Sequence, residues 1–185
     1  MKSLLKSASL LLAITFATFS ANAQSQKTVQ VGGEAMFPAK NIVENAMNSK
    51  AHTTLVAAVK AAGLVQTLQG KGPFTVFAPV NDAFENLPAG TVETLLKPES
   101  KGTLTKVLTY HVVSGKHDFK SISKLAKKGK NTLKTVSGGT LTFKMNGSRN
   151  IVVMDESGNT ANINTYDVYQ SNGVIHSIDT VLLPK

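Results

Sequence analysis

The apolar pattern of this 185-residue chain changes period once, near Thr132, and that change limits the architecture more than any other feature. Before it, apolar side chains recur at three- and four-residue steps: Ile42, Val43, Ala46 and Met47, then Leu55, Val56, Ala58 and Val59, then Phe119, Ile122 and Leu125. Such spacing puts them on one face of a helix. After it, short runs around Leu133, Thr140 to Lys144, Ile151 to Met154, Ala161 to Ile163, Tyr166 to Tyr169 and Val174 to Ile178 follow a period of two. Asn146-Gly147, Ser157-Gly158-Asn159 and Asn172-Gly173 separate them as hairpin turns. Helices first and meandering strands afterwards make an α+β pattern.

Punctuation refines the first half. Pro38 opens the first helix, Thr53 or Thr54 caps the second, and Gly63 stands where a left-handed helix end is wanted. One more turn runs from Leu64 to Leu68. Pro73 introduces the strand Phe74-Thr75-Val76-Phe77-Ala78, which ends at Pro79, and Asn81 or Asp82 caps a short helix after it. A turn from Thr91 to Leu96 and a helix from Ser100 to Leu108 follow. Tyr110-His111-Val112-Val113 reads as a strand, with Tyr110 and His111 on opposite faces, and Asp118 to Lys128 as a helix.

At the N-terminus, Lys2 and Lys6 precede an uncharged apolar stretch from Leu10 to Phe19, and Ala21-Asn22-Ala23 follows as a small-x-small cleavage site. This is the three-part pattern of a signal peptide, residues 1–23, and its apolar part is shorter than the roughly 20 residues that span a bilayer. The expectation is an exported mature chain, periplasmic or secreted, without a transmembrane segment. It comprises a short N-terminal segment, 24–37, and one domain, 38–185. With no cysteine, neither a lipid anchor nor a disulfide is available, so stability rests on packing.

The formal charge of +9, less the two leader lysines, leaves +7 on the mature chain. Such an excess favours polyanions by long-range attraction. Nucleic acid is a poor match, because export removes the opportunity, Arg149 is the only arginine, and no basic-aromatic stacking platform exists. His52, His111, His117 and His176 show neither an HExxH motif nor paired spacing on a helix. No metal or cofactor is expected.

Three segments carry a more specific signal: Thr75-Val76-Phe77-Ala78-Pro79-Val80-Asn81-Asp82-Ala83-Phe84, the pair Tyr110-His111, and the closing run Asn172-Gly173-Val174-Ile175-His176-Ser177-Ile178-Asp179-Thr180-Val181-Leu182-Leu183-Pro184. In order and spacing they resemble the signatures of fasciclin domains, from about Asn41 to the C-terminus. Val80 stands where a threonine is usual and Ser177 where a valine is usual, which would thin one contact on the closing strand. The resemblance implies a wedge of two β-sheets with several helices packed along one side. It implies an adhesion or interaction module with its adhesive surface near the Tyr110 strand, and no catalytic class.

The residues themselves are read as follows. Asn81 and Asp82 are helix caps before they are ligands. Tyr110 and His111 are buried groups that need hydrogen-bond partners before they are a recognition patch. His176 with Asp179 invites a catalytic reading, but no nucleophile accompanies them in a recognisable setting. Asp155 and Glu156 are adjacent and diverge, so they do not form the convergent carboxylate pair of a glycosidase. Asn146-Gly147-Ser148 is a turn before it is a glycosylation acceptor.

Between Gly115 and Thr135 the chain carries Lys116, Lys120, Lys124, Lys127, Lys128, Lys130 and Lys134 against one acid, Asp118. Lys116, Lys120, Lys124, Lys127 and Lys128 form a positive stripe if they share a helix. Its commoner meaning is a solvated face, and its sharper meaning a dock for anionic polymer. The expected function is therefore a monomeric, non-enzymatic module that binds a cell-surface or matrix protein or an acidic polysaccharide. The alternatives are an envelope enzyme of unrecognised type and a structural envelope protein with no discrete ligand.

Overall fold

The computed structural model describes residues 28–129 and 131–185; the expected leader, 1–23, and its expected cleavage site lie outside the described residues. The chain begins with a hairpin, β1 (Val29–Val31) and β2 (Glu34–Met36), joined by Gly32 and Gly33 at positive φ. Sequence reading assigned no structure to this segment. Three residues per strand are too few for a visible alternation, yet Val31 and Met36 are buried in the core.

Helix α1 (Ile42–Ala46) starts from a reciprocal cap: Glu44 N donates to Asn41 Oδ1 at 3.0 Å and Asn41 N donates to Glu44 Oε2 at 2.8 Å. Helix α2 (Thr53–Ala62) ends at Gly63 with φ 75°, the left-handed conformation that its sequence demands. Helix α3 (Val65–Gln69) and strand β3 (Phe74–Pro79) follow, then short helices α4 (Asn81–Glu85) and α5 (Thr91–Leu95) and the longer α6 (Lys101–Tyr110).

Helix α6 runs further than expected. Val107 and His111 continue the helical step, so Tyr110 is the last helical residue, His111 the C-cap, and the strand β4 is only Val112–Ser114. Both Tyr110 and His111 are consequently buried, instead of alternating between core and edge. Helix α7 (Phe119–Lys127) precedes β5 (Thr132–Lys134), β6 (Thr140–Asn146), β7 (Asn150–Met154), β8 (Thr160–Gln170) and β9 (Gly173–Ile178). The two expected runs at Ala161 and Tyr166 are one strand, β8, bent by register shifts between Ile163 and Val168, with Asp167 at φ 56°.

Seven strands hydrogen-bond in the order β4-β3-β9-β8-β7-β6-β5, β3 and β9 being parallel and every other pair antiparallel. The two expected sheets are thus joined through the bent β8. The outer edges also meet: Val113 bridges to Thr135, and Val136 N donates to Val112 O at 2.8 Å. Closure leaves little free strand edge for chance pairing.

Alternation along the shared wall builds two cores. Val76, Ala78 and Val112 face a helical layer of α1, α2, α3 and α6; Phe77 and Val113 face the opposite way, into the β half. There Phe77 and Phe143 pack with ring centroids 5.4 Å apart, among Leu141, Ile151, Val153 and Ile178, all fully buried. Each such side chain contributes about 1.5–3 kcal/mol relative to exposure. Helix α7 closes this core with Ile122.

Candidate functional site

The motif residues lie where the two cores meet. Tyr110 reaches across the β half: its hydroxyl donates to Thr140 O at 2.9 Å and accepts from Glu156 N at 3.0 Å. Burial pushes its pKa up. Next to it, His111 Nδ1 donates to Val107 O at 2.8 Å and Nε2 accepts from Leu182 N at 3.0 Å. This requires the neutral ring, and burial lowers its pKa to about 4. The ring therefore pins the segment after β9 to the end of α6.

His176 is also internal. Its ring stacks on Phe77 at 5.6 Å, Nδ1 accepts from Asp167 N at 3.3 Å and Nε2 donates to His117 O at 2.8 Å. Burial lowers its pKa. Asp179 faces elsewhere, accepting from Asn162 N and Nδ2 at 2.8 Å each. The pair that invited a catalytic reading shares no hydrogen bond. Asp155 and Glu156 diverge as expected: Asp155 accepts from Ser157 N, Asn159 N and Leu183 N, and Glu156 accepts from Thr140 N.

Asn81 is a cap, but for another helix. Its Oδ1 accepts from Thr54 N and Thr53 Oγ1, both at 3.2 Å, and its Nδ2 donates to Lys50 O at 2.9 Å, so it serves the start of α2. Helix α4 begins at Asn81 itself, with Val80 extended as the N-cap, and this turns the amide outward. Asp82 is exposed in the first turn of α4, where its charge suits the helix dipole. Thr53 and Thr54 are not the side-chain caps of α2 that the sequence suggested; the cap position belongs to His52.

Sequence reading missed a buried polar line that crosses the helical layer. His52 Nδ1 lies 2.8 Å from Ser49 Oγ and its Nε2 3.3 Å from Ser177 Oγ. Ser177, expected to thin one contact on the closing strand, is thus partnered by His52. Asn172 also connects distant elements, accepting from Ile42 N at 3.0 Å and donating to Leu68 O at 2.8 Å. Asn45 donates to Gln170 and to Phe37 O. Apart from Ser49 with His52 and Asn45 with Phe37, these bonds join residues 104 to 130 positions apart, so no spacing pattern announces them.

The lysine stripe exists in part. Lys120, Lys124 and Lys127 project from α7, and Lys128 caps its end; all four are exposed. Lys116 precedes the helix, with Nζ 4.4 Å from the Tyr169 ring centroid, a cation–π contact, and so does not extend the helical stripe. Carboxylates hold the other end of α7: Asp118 accepts from Ser121 N at 2.8 Å and Asp167 from Phe119 N at 2.7 Å. Acids at the start and lysines at the finish both oppose the helix dipole. Among the described residues the one ion pair is Lys50 with Glu34, at 3.0 Å, so no carboxylate neutralises Lys120, Lys124, Lys127 or Lys128. Among the described residues, too, no cluster of His, Asp and Glu could hold a metal, and no helix is long and apolar enough to cross a membrane.

Comparison with known proteins gives a consistent answer. The chain is 48% identical to Protein sll1483 of Synechocystis over 86% of its own length and 82% of that protein's. It is 34% identical to the cell surface glycolipoprotein MPB83 of Mycobacterium bovis over 83% of its length and 64% of that protein's. Among solved structures, the fasciclin domain pair of the insect cell adhesion molecule Fasciclin I superposes with a TM-score of 0.70 at 19% identity. That match covers 79% of this chain and 51% of the pair, the share one domain of two would take, and it establishes the fold alone. The family model for the fasciclin domain matches residues 50–184, which contain all three signatures, and the chain belongs to the fasciclin domain family.

Proposed function

We propose that this protein is an exported, non-catalytic interaction module that holds acidic polysaccharide or a similarly anionic surface through the lysine face of α7. One observation carries the reading: Lys120, Lys124, Lys127 and Lys128 are exposed together without a neutralising carboxylate, while the polar atoms of Tyr110, His111 and His176 are spent on internal hydrogen bonds. Free charge is on the helix, not on the motif. Potential from such a cluster extends over a Debye length of about 8–10 Å at physiological salt, so it reads charge density instead of a particular sequence.

Family membership supports the adhesive part, since the relatives include a cell surface glycolipoprotein and the solved neighbour is a cell adhesion molecule. The leader pattern supports export, with cleavage leaving Gln24 at the mature N-terminus. The test has two parts. Intact mass of exported protein should begin at Gln24; a mature species that retains Leu10 to Phe19 contradicts export by cleavage. Retention on a heparin-like or acidic-polysaccharide matrix should fall steeply with salt. Changing Lys120, Lys124, Lys127 and Lys128 together to Gln should lower the eluting salt further, and superimposable elution of the two folded proteins would reduce the stripe to a solvated face.

A further inference from the structure

We infer that the helical layer contains a binding site for a slender, uncharged, apolar molecule, independent of the lysine face. Between α1, α2 and α3 on one side and β3 and β9 on the other lies a void of about 80 Å³, walled by Leu55, Val59, Leu68, Val76, Ile175 and their neighbours. The β half of the same chain, a few ångströms away across β3, closes its core with Phe77, Phe143, Ile151 and Val153 at full burial. The looseness is therefore local to one face of the shared wall.

Chemistry of the lining decides what could enter. The buried polar side chains that border the void, Ser49, His52 and His111, each already have hydrogen-bond partners: Val31 O and His52 for Ser49, Ser49 and Ser177 for His52, Val107 O and Leu182 N for His111. A buried water needs two to four polar partners, and these walls offer none to spare. An engineered cavity of roughly 150 Å³ with similar walls stays dry and takes up benzene or xenon. At about 80 Å³ this void suits something narrower: a noble-gas atom or the end of a short aliphatic chain. Lys60 and Thr67, both exposed, border it on α2 and α3 and mark the route by which such a molecule would enter.

Pentane and xenon are the probes, applied to the full mature chain with labelled methyl groups. Xenon is expected to shift the methyl signals of Leu55, Val59 and Ile175 saturably and leave those of Ile151 and Val153 unmoved, and pentane to raise the melting temperature. Val59→Leu, which fills the void, should abolish both effects. Leu55→Ala, which enlarges it, should strengthen them. Saturable xenon shifts in Leu55→Ala but none in wild type would overturn the inference, since the native void would then be too small. Equal responses in wild type and Val59→Leu would also overturn it, because the probe would be binding elsewhere. An unchanged wild-type melt in pentane would overturn the aliphatic assignment. None of these readouts involves the lysines, so failure here leaves the adhesive reading to its own test.

Discussion

The two cores on either side of β3 are built by one chain under one solvent, yet they are packed to different standards. In the β half, Phe77, Phe143, Leu141, Ile151 and Val153 have no exposed surface, whereas in the helical layer Leu55, Val59 and Leu68 keep 8–9% and surround a void. The β half is tied across its strands by Tyr110, whose hydroxyl joins Thr140 to Glu156 and fixes distances between elements to hydrogen-bond precision. The helical layer is made of α1, α2, α3 and α6, of which α1 and α3 are single turns of five residues that cannot interdigitate over a long seam. The difference teaches that the signature residues specify a rigid half, and that the helices packed on it need only cover the wall.

Truncation should separate the halves most sharply. Phe143→Ala is expected to cost about 3–5 kcal/mol and Leu55→Ala about 2 kcal/mol, because the short helices can relax around a deletion and the closed strands cannot. Urea unfolding with an unchanged slope would check this, and equal costs would break the comparison. The next largest effect is acid lability. His111 has an ordinary pKa of 6.5 when unfolded and about 4 when folded, so folding favours its neutral form. Its contribution is complete above pH 6.5 and is lost as pH falls toward 4, reaching about 3 kcal/mol at the bottom. Burial shifts His52 and His176 in the same direction, so the urea midpoint should fall over this window; a flat profile would contradict the buried, neutral assignment.

Smaller changes test packing directly. Val153→Leu should destabilise by about 1–3 kcal/mol through overcrowding, while Val59→Leu, beside the void, should be neutral or gain up to about 0.8 kcal/mol for one methylene. Thermal melts of the two give opposite signs if the halves differ as described. The smallest effect belongs to the surface: replacing Lys120, Lys124, Lys127 and Lys128 by Gln should move stability by no more than about 0.5 kcal/mol.

Much of this was legible in the residues. The change of period near Thr132 gave helices before strands, Gly63 gave a left-handed helix end, and three ordered motifs gave the family. What stayed hidden was non-local. The run Tyr110 to Val113 has the composition of a strand, but the Val107–His111 step and the bond to Val107 O keep Tyr110 on the helix and make His111 its C-cap. Asn81 has the right chemistry for a cap and the wrong helix was assigned to it, because its partner Thr54 lies 27 residues away. The line Ser49, His52, Ser177 joins residues 125 positions apart, and no periodicity reports such a pairing.

The central claim is a division of labour, in which Tyr110 and His111 build the frame and the lysines of α7 make the contact. It is tested most directly by measuring melting and acidic-polysaccharide binding side by side for His111→Ala and for the four-lysine variant. The account predicts that His111→Ala loses about 1–3 kcal/mol, through the orphaned partners at Val107 and Leu182, and binds normally per folded molecule. The lysine variant should melt like wild type and bind weakly. A His111→Ala protein that keeps its melting temperature and loses binding would contradict the account and return the recognition surface to the Tyr110 segment.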